Sequence, residues 1–328
     1  MGNAVIKPIR LLACVILATM QLAAKPITVF AHGFNNHAGR FQNRHEIYAP
    51  SETESVSVIF HHRLVSFGVK GKKTIAETVG SKLNNPMSFV SFSQGTAATM
   101  HYLANKEDCS NIRSVLLIGP LANPADFVPN HSVFKYLFMP QWLGKQILSW
   151  KLPHYNPAID PPIEQISKIT NLPKTCPIII IHGTNDHTSR WEQGYSLAKK
   201  FHELGYPVYF IEHEGGHNQP YAADLKAKMK LEFQEDHTKE EIRTIKEKYC
   251  VEEREDFAKI IHAIYKKHGL PHKAQVVSNP EDYSFVSQQK RLEEKSWLGQ
   301  ATNFFKRFCT TTLLIVTTYI AAQQLIIK

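Results

Sequence analysis

Three residues of the 328-residue chain have the types needed to transfer an acyl group, and they occur in a telling order. Ser93 stands in "SFSQG" (91–95), Asp186 in "HGTNDHTS" (182–189) and His217 in "GGHN" (215–218). A serine hydroxyl is a weak nucleophile until a neighbouring imidazole takes its proton. A carboxylate then orients that imidazole and stabilises its charged form. The pentapeptide fits a strand–turn–helix pattern that exposes the serine on a sharp turn, with Ser91 in place of the usual first glycine. Positions two away from the serine must be small, and Ser91 and Gly95 both are. A fourth segment, "HGF" (32–34), forms a turn whose Phe34 backbone N–H is a candidate donor to an oxyanion. The N–H of Gln94, next after the serine, is its expected partner. Asp126, in "NPADF", is the second candidate for the acid.

One pattern competes for His217. His213-Glu214-Gly215-Gly216-His217 fits H-E-x-x-H, in which a helix sets two histidines on one face to bind zinc. The helix is the difficulty. Each of the two interior glycines costs about 1 kcal/mol in a helix relative to alanine. The strand-like "PVYFIE" (207–212) precedes the pattern and Pro220 follows it, and a third ligand such as Glu235 or Glu240 would need that same helix. No metal and no other cofactor is expected.

Elements that would bring the three residues together can be read from hydrophobic patterning. Short apolar runs recur at Ile27–Ala31, Val56–Phe60, Met87–Ser91, Ser114–Ile118, Pro177–Ile181 and Pro207–Ile211. Near-continuous apolar runs indicate strands covered on both faces. Thr74–Leu83, Thr96–Ala104 and Trp191–Leu204 have helical composition, and the alternation predicts a parallel α/β sheet. Groups with chemistry gather at the carboxyl ends of such strands. Each of the quoted segments follows one of the runs. The longest gap, Ile118 to Pro177, holds an aromatic- and proline-rich insert, read either as a lid over a pocket or as a packed cover.

Beyond Gln234 the chain becomes highly charged. Thr238 and Glu241 form a capping box, and Ile242, Ile245, Tyr249, Phe257, Ile260, Ile261 and Ile264 recur at helical spacing. This predicts one or two amphipathic helices, ended by Gly269 and Pro271. The five cysteines are far apart and form neither a disulfide framework nor a cysteine metal site. A net charge of +9 without a basic block or stacking motif gives no footprint for nucleic acid.

Both ends carry apolar segments. Lys7 and Arg10 precede the run Leu11–Ala24, which matches a signal peptide or N-terminal anchor, with a structural strand or helix of the domain as the alternative. Cys309–Ile327 is uncharged and close to bilayer-spanning length. Its threonines and the Gln323–Gln324 pair suit a docked helix as well. Export or membrane association is the expectation from these segments, and a cytoplasmic location follows if the first of them is structural.

In "HGF", "SFSQG", "HGTNDHTS" and "GGHN", each in order and each after a strand, the chain resembles the α/β-hydrolase family. From His182 to His217 it looks most like the dienelactone-hydrolase and prolyl-oligopeptidase branches. The resemblance spans about 27–234 and implies a mostly parallel sheet of about six strands with flanking helices, short of the family's first two strands. It implies acyl transfer with Ser93 as nucleophile, His217 as base, Asp186 as acid, and the amides of Phe34 and Gln94 as the oxyanion hole. The expected organisation is a targeting segment at 1–24 and a hydrolase domain at 25–234 with an insert at about 128–174. A helical extension at 235–271, a linker at 272–308 and a membrane-associated segment at 309–327 follow. A small-molecule or acyl substrate is expected. The aromatic insert favours hydrophobic esters, and the resemblance at 182–217 favours small esters or peptides. Fold does not ensure activity, so a catalytically silent, membrane-tethered binding protein is the alternative.

Overall fold

Runs rich in Val, Ile and Phe pair side by side because most of them are too apolar to leave either face in water. The computed structural model describes residues 24–33, 38–60, 69–124, 146, 161–217, 238–273 and 279–293. Its strands are β1 (Ile27–Ala31), β2 (Glu54–Val58), β3 (Met87–Phe92), β4 (Ile112–Ile118), β5 (Ile178–Gly183) and β6 (Val208–His213). All are parallel, in the order β2-β1-β3-β4-β5-β6. The sheet stays open, and every residue of β1, β3 and β5 is buried.

The helices follow from the crossovers. They are α1 (Ala38–His45), α2 (Val69–Val79), α3 (Gln94–Asn105), α4 (Pro162–Ile166), α5 (Trp191–Glu203) and α6 (Lys239–Lys267). The chain steps from β1 out to β2, then reverses and moves steadily to β6. With right-handed crossovers this puts α1 on one face and α2, α3 and α5 on the other. Accordingly α2 packs on α3, α3 on α4 and α4 on α5, while α1 lies against β1 and β2. The reversal leaves a crevice at the carboxyl ends of β1 and β3, where open α/β sheets hold their ligands.

The charged stretch beyond 234 forms a single helix, with the Thr238–Glu241 capping box made in both directions. Of its apolar stripe, Tyr249, Phe257, Ile260, Ile261 and Ile264 are buried. Tyr265 Oη donates to the Tyr48 carbonyl at 2.9 Å, and His262 Nε2 donates to that of Ile47 at 3.0 Å. These bonds fasten α6 to the 3-10 turn Glu46–Tyr48. Gly269, at φ +67°, ends the helix as expected.

Element edges differ from the sequence-based reading: β4 begins two residues early, β5 and β6 each run two residues further, and β2 and α2 shift most. β2 begins two residues early, at Glu54, and stops at Val58. Pairing of Glu54 and Ser55 with Ile27 and Thr28 extends it, and an outer strand that is partly exposed tolerates those polar residues. α2 begins at Val69, and its last expected turn tightens into a 3-10 turn at Gly80–Lys82.

A second unit begins at Glu281. Within its described part, residues 285–293 are helical, although the polar composition reads as a linker. Ser284 Oγ accepts from the Ser287 N–H at 3.4 Å at the start of this helix. Among the described residues no helix is long and apolar enough to cross a membrane. Residues 1–23, most of the 128–174 insert and the 309–327 segment lie outside the described residues, and with them the expectations they carry.

Candidate active site

Ser93 is where β3 turns into α3, and the turn demands a backbone that most residues avoid. Its φ is +50° and its ψ −119°, at the N-cap of the helix. Such a conformation costs about 1–3 kcal/mol and persists only where its surroundings enforce it. The surroundings here are close. The Ser93 N–H donates to the Ile118 carbonyl at 2.9 Å, which holds the turn to the end of β4. Gly95 presses on the end of β1, so that a Cβ there would lie 2.1 Å from the Ala31 carbonyl oxygen. Ser91, the substitute for the first glycine, is fully buried and bonds through its hydroxyl to Thr99 Oγ1 at 2.7 Å.

The histidine arrives from beyond β6. His213 ends that strand, and residues 214–217 bend away from it without forming a helix. The geometric premise of the zinc reading is therefore not met. Two backbone bonds align this segment with the loop after β5. Thr184 N–H donates to the His213 carbonyl at 2.7 Å, and Asn185 N–H to that of Gly215 at 3.2 Å. His217 then lies between the other two residues. Its Nε2 is 2.8 Å from Ser93 Oγ and its Nδ1 is 2.6 Å from Asp186 Oδ2. A carboxylate only accepts, so Nδ1 carries a proton and donates it to Asp186. In the neutral ring Nε2 is left bare to accept from the Ser93 hydroxyl.

Asp186 is buried, and burial alone raises a carboxyl pKa. Hydrogen bonding from His182 and His217, the His217 charge and the Ser189 amide outweigh that effect and hold the carboxyl well below its ordinary range. Its Oδ1 accepts from the N–H groups of Thr188 and Ser189 at 2.8 and 2.9 Å. The loop is anchored in turn, because Ser189 Oγ donates to the Pro120 carbonyl at 2.6 Å.

Two residues that frame the imidazole are not evident from motifs. Phe92 places its ring centroid 5.1 Å from that of His217, and Phe41 of α1 stacks behind it at 5.8 Å. Gly119, which follows β4 at φ +51°, forms a floor: a Cβ there would stand 3.1 Å from His217 Nδ1. A glycine just past an apolar run was the signal available for it. Gln94, the first residue of α3, is buried. Its backbone N–H has no intrahelical carbonyl to reach, as an oxyanion donor requires. Phe34 and Asp126 lie outside the described residues. No group of three or more His, Cys, Asp or Glu residues able to hold a metal occurs among the described residues.

His213 is used differently from His217. Burial, reinforced by His182 and opposed by Asp186, pushes it down to about 3 from 6.5. Its Nδ1 accepts from the Gly215 N–H at 3.0 Å. Unfolded, this residue takes up a proton as pH falls through its ordinary value; folded, it resists until far lower. The stability it contributes is therefore complete above pH 7 and is lost progressively below, by about 2 kcal/mol at pH 5. His213→Gln is expected to flatten the dependence of the urea midpoint on pH between 7 and 5. An unchanged slope would remove His213 from the account.

Residues 73–229 match the family model described as "Serine hydrolase (FSH1)". Among solved structures, the chain is similar to an acylaminoacyl peptidase of Pyrococcus horikoshii. The identity is 14% and the TM-score 0.49, over 80% of this chain and 40% of that one. It is also similar to the Bacillus cereus carboxylesterase, with 15% identity and a TM-score of 0.37 over 71% of this chain and 89% of that one. A third is a puromycin-hydrolyzing peptidase of Mycobacterium tuberculosis, with 15% identity and a TM-score of 0.41 over 60% of this chain and 31% of that one. The chain thus spans about 40% of the length of the archaeal peptidase. No curated protein matches it in sequence. The family match begins inside α2 and runs past His217, so it takes in the serine turn, the acid loop and the histidine together. Over residues 73–229, somewhat under half of the chain, the protein is thus similar to a serine-hydrolase family.

Proposed function

We propose that the protein cleaves carboxylic esters through an acyl-enzyme on Ser93, with His217 as general base and acid and Asp186 as its orienting carboxylate. The observation that carries this reading is the unbroken Ser93–His217–Asp186 relay, at 2.8 and 2.6 Å.

The steps follow from that relay. His217 Nε2 takes the Ser93 proton as Oγ attacks the ester carbonyl carbon. The carbonyl oxygen gains the negative charge, and the N–H of Gln94 at the start of α3 receives it. Collapse of the tetrahedral species breaks the bond to the leaving alkoxide, which departs as the alcohol with the proton from His217. Water, deprotonated by the same nitrogen, then attacks the acyl carbon; the acid leaves and Ser93 regains its hydrogen. The wall made by Phe92 and Phe41 keeps the imidazole in a low-dielectric setting, which strengthens its bond to Asp186. Gly119 and the Ser189–Pro120 bond hold ring and acid in register, since small misplacements of reacting groups cost large factors in rate.

Labelling by a fluorophosphonate, lost in Ser93→Ala, tests the nucleophile. p-Nitrophenyl esters of graded chain length, run beside aminoacyl substrates, test the bond. A folded protein that neither labels nor turns over any ester would refute the proposal and favour a binding role.

A further inference from the structure

Asp186 has a second imidazole beside it that the mechanism does not use. His182, in β5, is fully buried, and its Nε2 lies 3.5 Å from the same Oδ2 that receives His217. That Nε2 is also 2.7 Å from the Ser189 carbonyl oxygen. A carbonyl oxygen only accepts, so Nε2 carries a hydrogen and donates it. Nδ1 of the ring has no hydrogen-bond partner. It faces Gly194 of α5 so closely that a Cβ there would stand 2.2 Å away. The ring is held in one tautomer with its donor toward the acid loop, and the structure leaves a buried nitrogen unsatisfied to keep it so. Buried polar atoms without partners are uncommon and ask for a reason.

We propose that His182 is a positioning residue for the acid. Through its Nε2–H it closes the 186–189 loop and tempers the negative charge that Asp186 presents to His217. The titratable groups around it are Asp186 and His217 on its acid side and His213 from β6; Gly194, which adjoins its bare nitrogen on α5, is uncharged. Without the neighbouring donor, the charge on Oδ2 falls more heavily on His217. The imidazolium is then favoured, and His217 keeps its proton to higher pH. A base that is protonated at higher pH is lost to catalysis earlier as the medium is acidified. The proposal rests on the reading of Ser93, His217 and Asp186 as catalytic, but its test does not require turnover.

The experiment follows the Cε1–H resonance of His217 by NMR across pH in the full chain, for wild type, His182→Leu and His182→Gln. Glutamine carries an N–H at a reach similar to that of the imidazole Nε2, and leucine carries none. The expected result is a His217 midpoint raised by about half a pH unit in His182→Leu and returned toward wild type in His182→Gln. For the active protein, the acid limb of kcat/KM moves in parallel, about threefold lower on the acid side. Should His182→Leu fail to fold, His182→Asn takes its place, since it stays polar but stops short of Asp186; the same rise is expected. A midpoint at the wild-type value in the variant lacking the donor, or an equal shift with glutamine, overturns the proposal. Absence of fluorophosphonate labelling in wild type counts against the catalytic reading alone.

Discussion

Ser93→Ala is expected to lower kcat by about a million-fold, because the nucleophile is removed while the fold around it stays. A companion substitution separates chemistry from strain. Alanine keeps the side-chain carbon that makes φ +50° costly, whereas glycine relieves it. Ser93→Gly should therefore be as inactive as Ser93→Ala but more stable by about 1 kcal/mol, after allowance for glycine's greater entropy when unfolded. Urea denaturation of the two variants reads this difference directly, and ester hydrolysis reads the other. If the alanine variant keeps its activity, Ser93 is not the nucleophile. Equal stability of the two variants would mean that the turn stores no strain.

Gly95→Ala carries the largest structural effect. The atoms a Cβ would meet are backbone: the Ala31 carbonyl oxygen at 2.1 Å and carbon at 2.6 Å, and the His32 carbonyl oxygen at 2.7 Å. No rotamer change can make room, so either α3 or β1 must shift. Both are fully packed, and overpacking of this kind costs about 3 kcal/mol or more. The expected result is a marked fall in the urea midpoint. Such variant as folds should also be slow, since any shift of α3 moves Ser93 away from His217. Wild-type stability in this variant would show that the serine turn does not press on β1.

How much of this was legible in the sequence depends on what each feature needs. β1 was legible residue for residue, because a central strand covered on both faces is apolar at every position but Thr28, whose hydroxyl is bonded to Thr53 Oγ1. β2 was displaced by two, because an outer strand takes in Glu54 and Ser55 through backbone pairing that composition does not record. Ser93, Asp186 and His217 could be singled out because each follows a strand in a short motif, and the strand ends bring them together. Phe92, Gly119 and His182 could not be assigned their places by the same means. Their contacts with His217 and Asp186 come from packing between β3, β4, β5 and the bend after β6, and no local pattern encodes a neighbour from a distant strand. The zinc-like pattern failed for the converse reason. Its spacing is correct only on a helix, and β6 with its two following glycines makes an extended turn instead.

The place of the histidine in the sheet has a consequence for how the protein comes to be active. Ser93 and its base are 124 residues apart, and the base hangs from β6, which pairs with β5 alone among the described residues. A nascent chain that has closed β1 through β4 already displays the serine turn but holds an ordinary, unreactive hydroxyl. On the proposed mechanism, reactivity switches on when β6 docks and is extinguished whenever that strand frays. Hydrolytic activity by the proposed mechanism would thus gauge the docking of β6 rather than the core of the sheet.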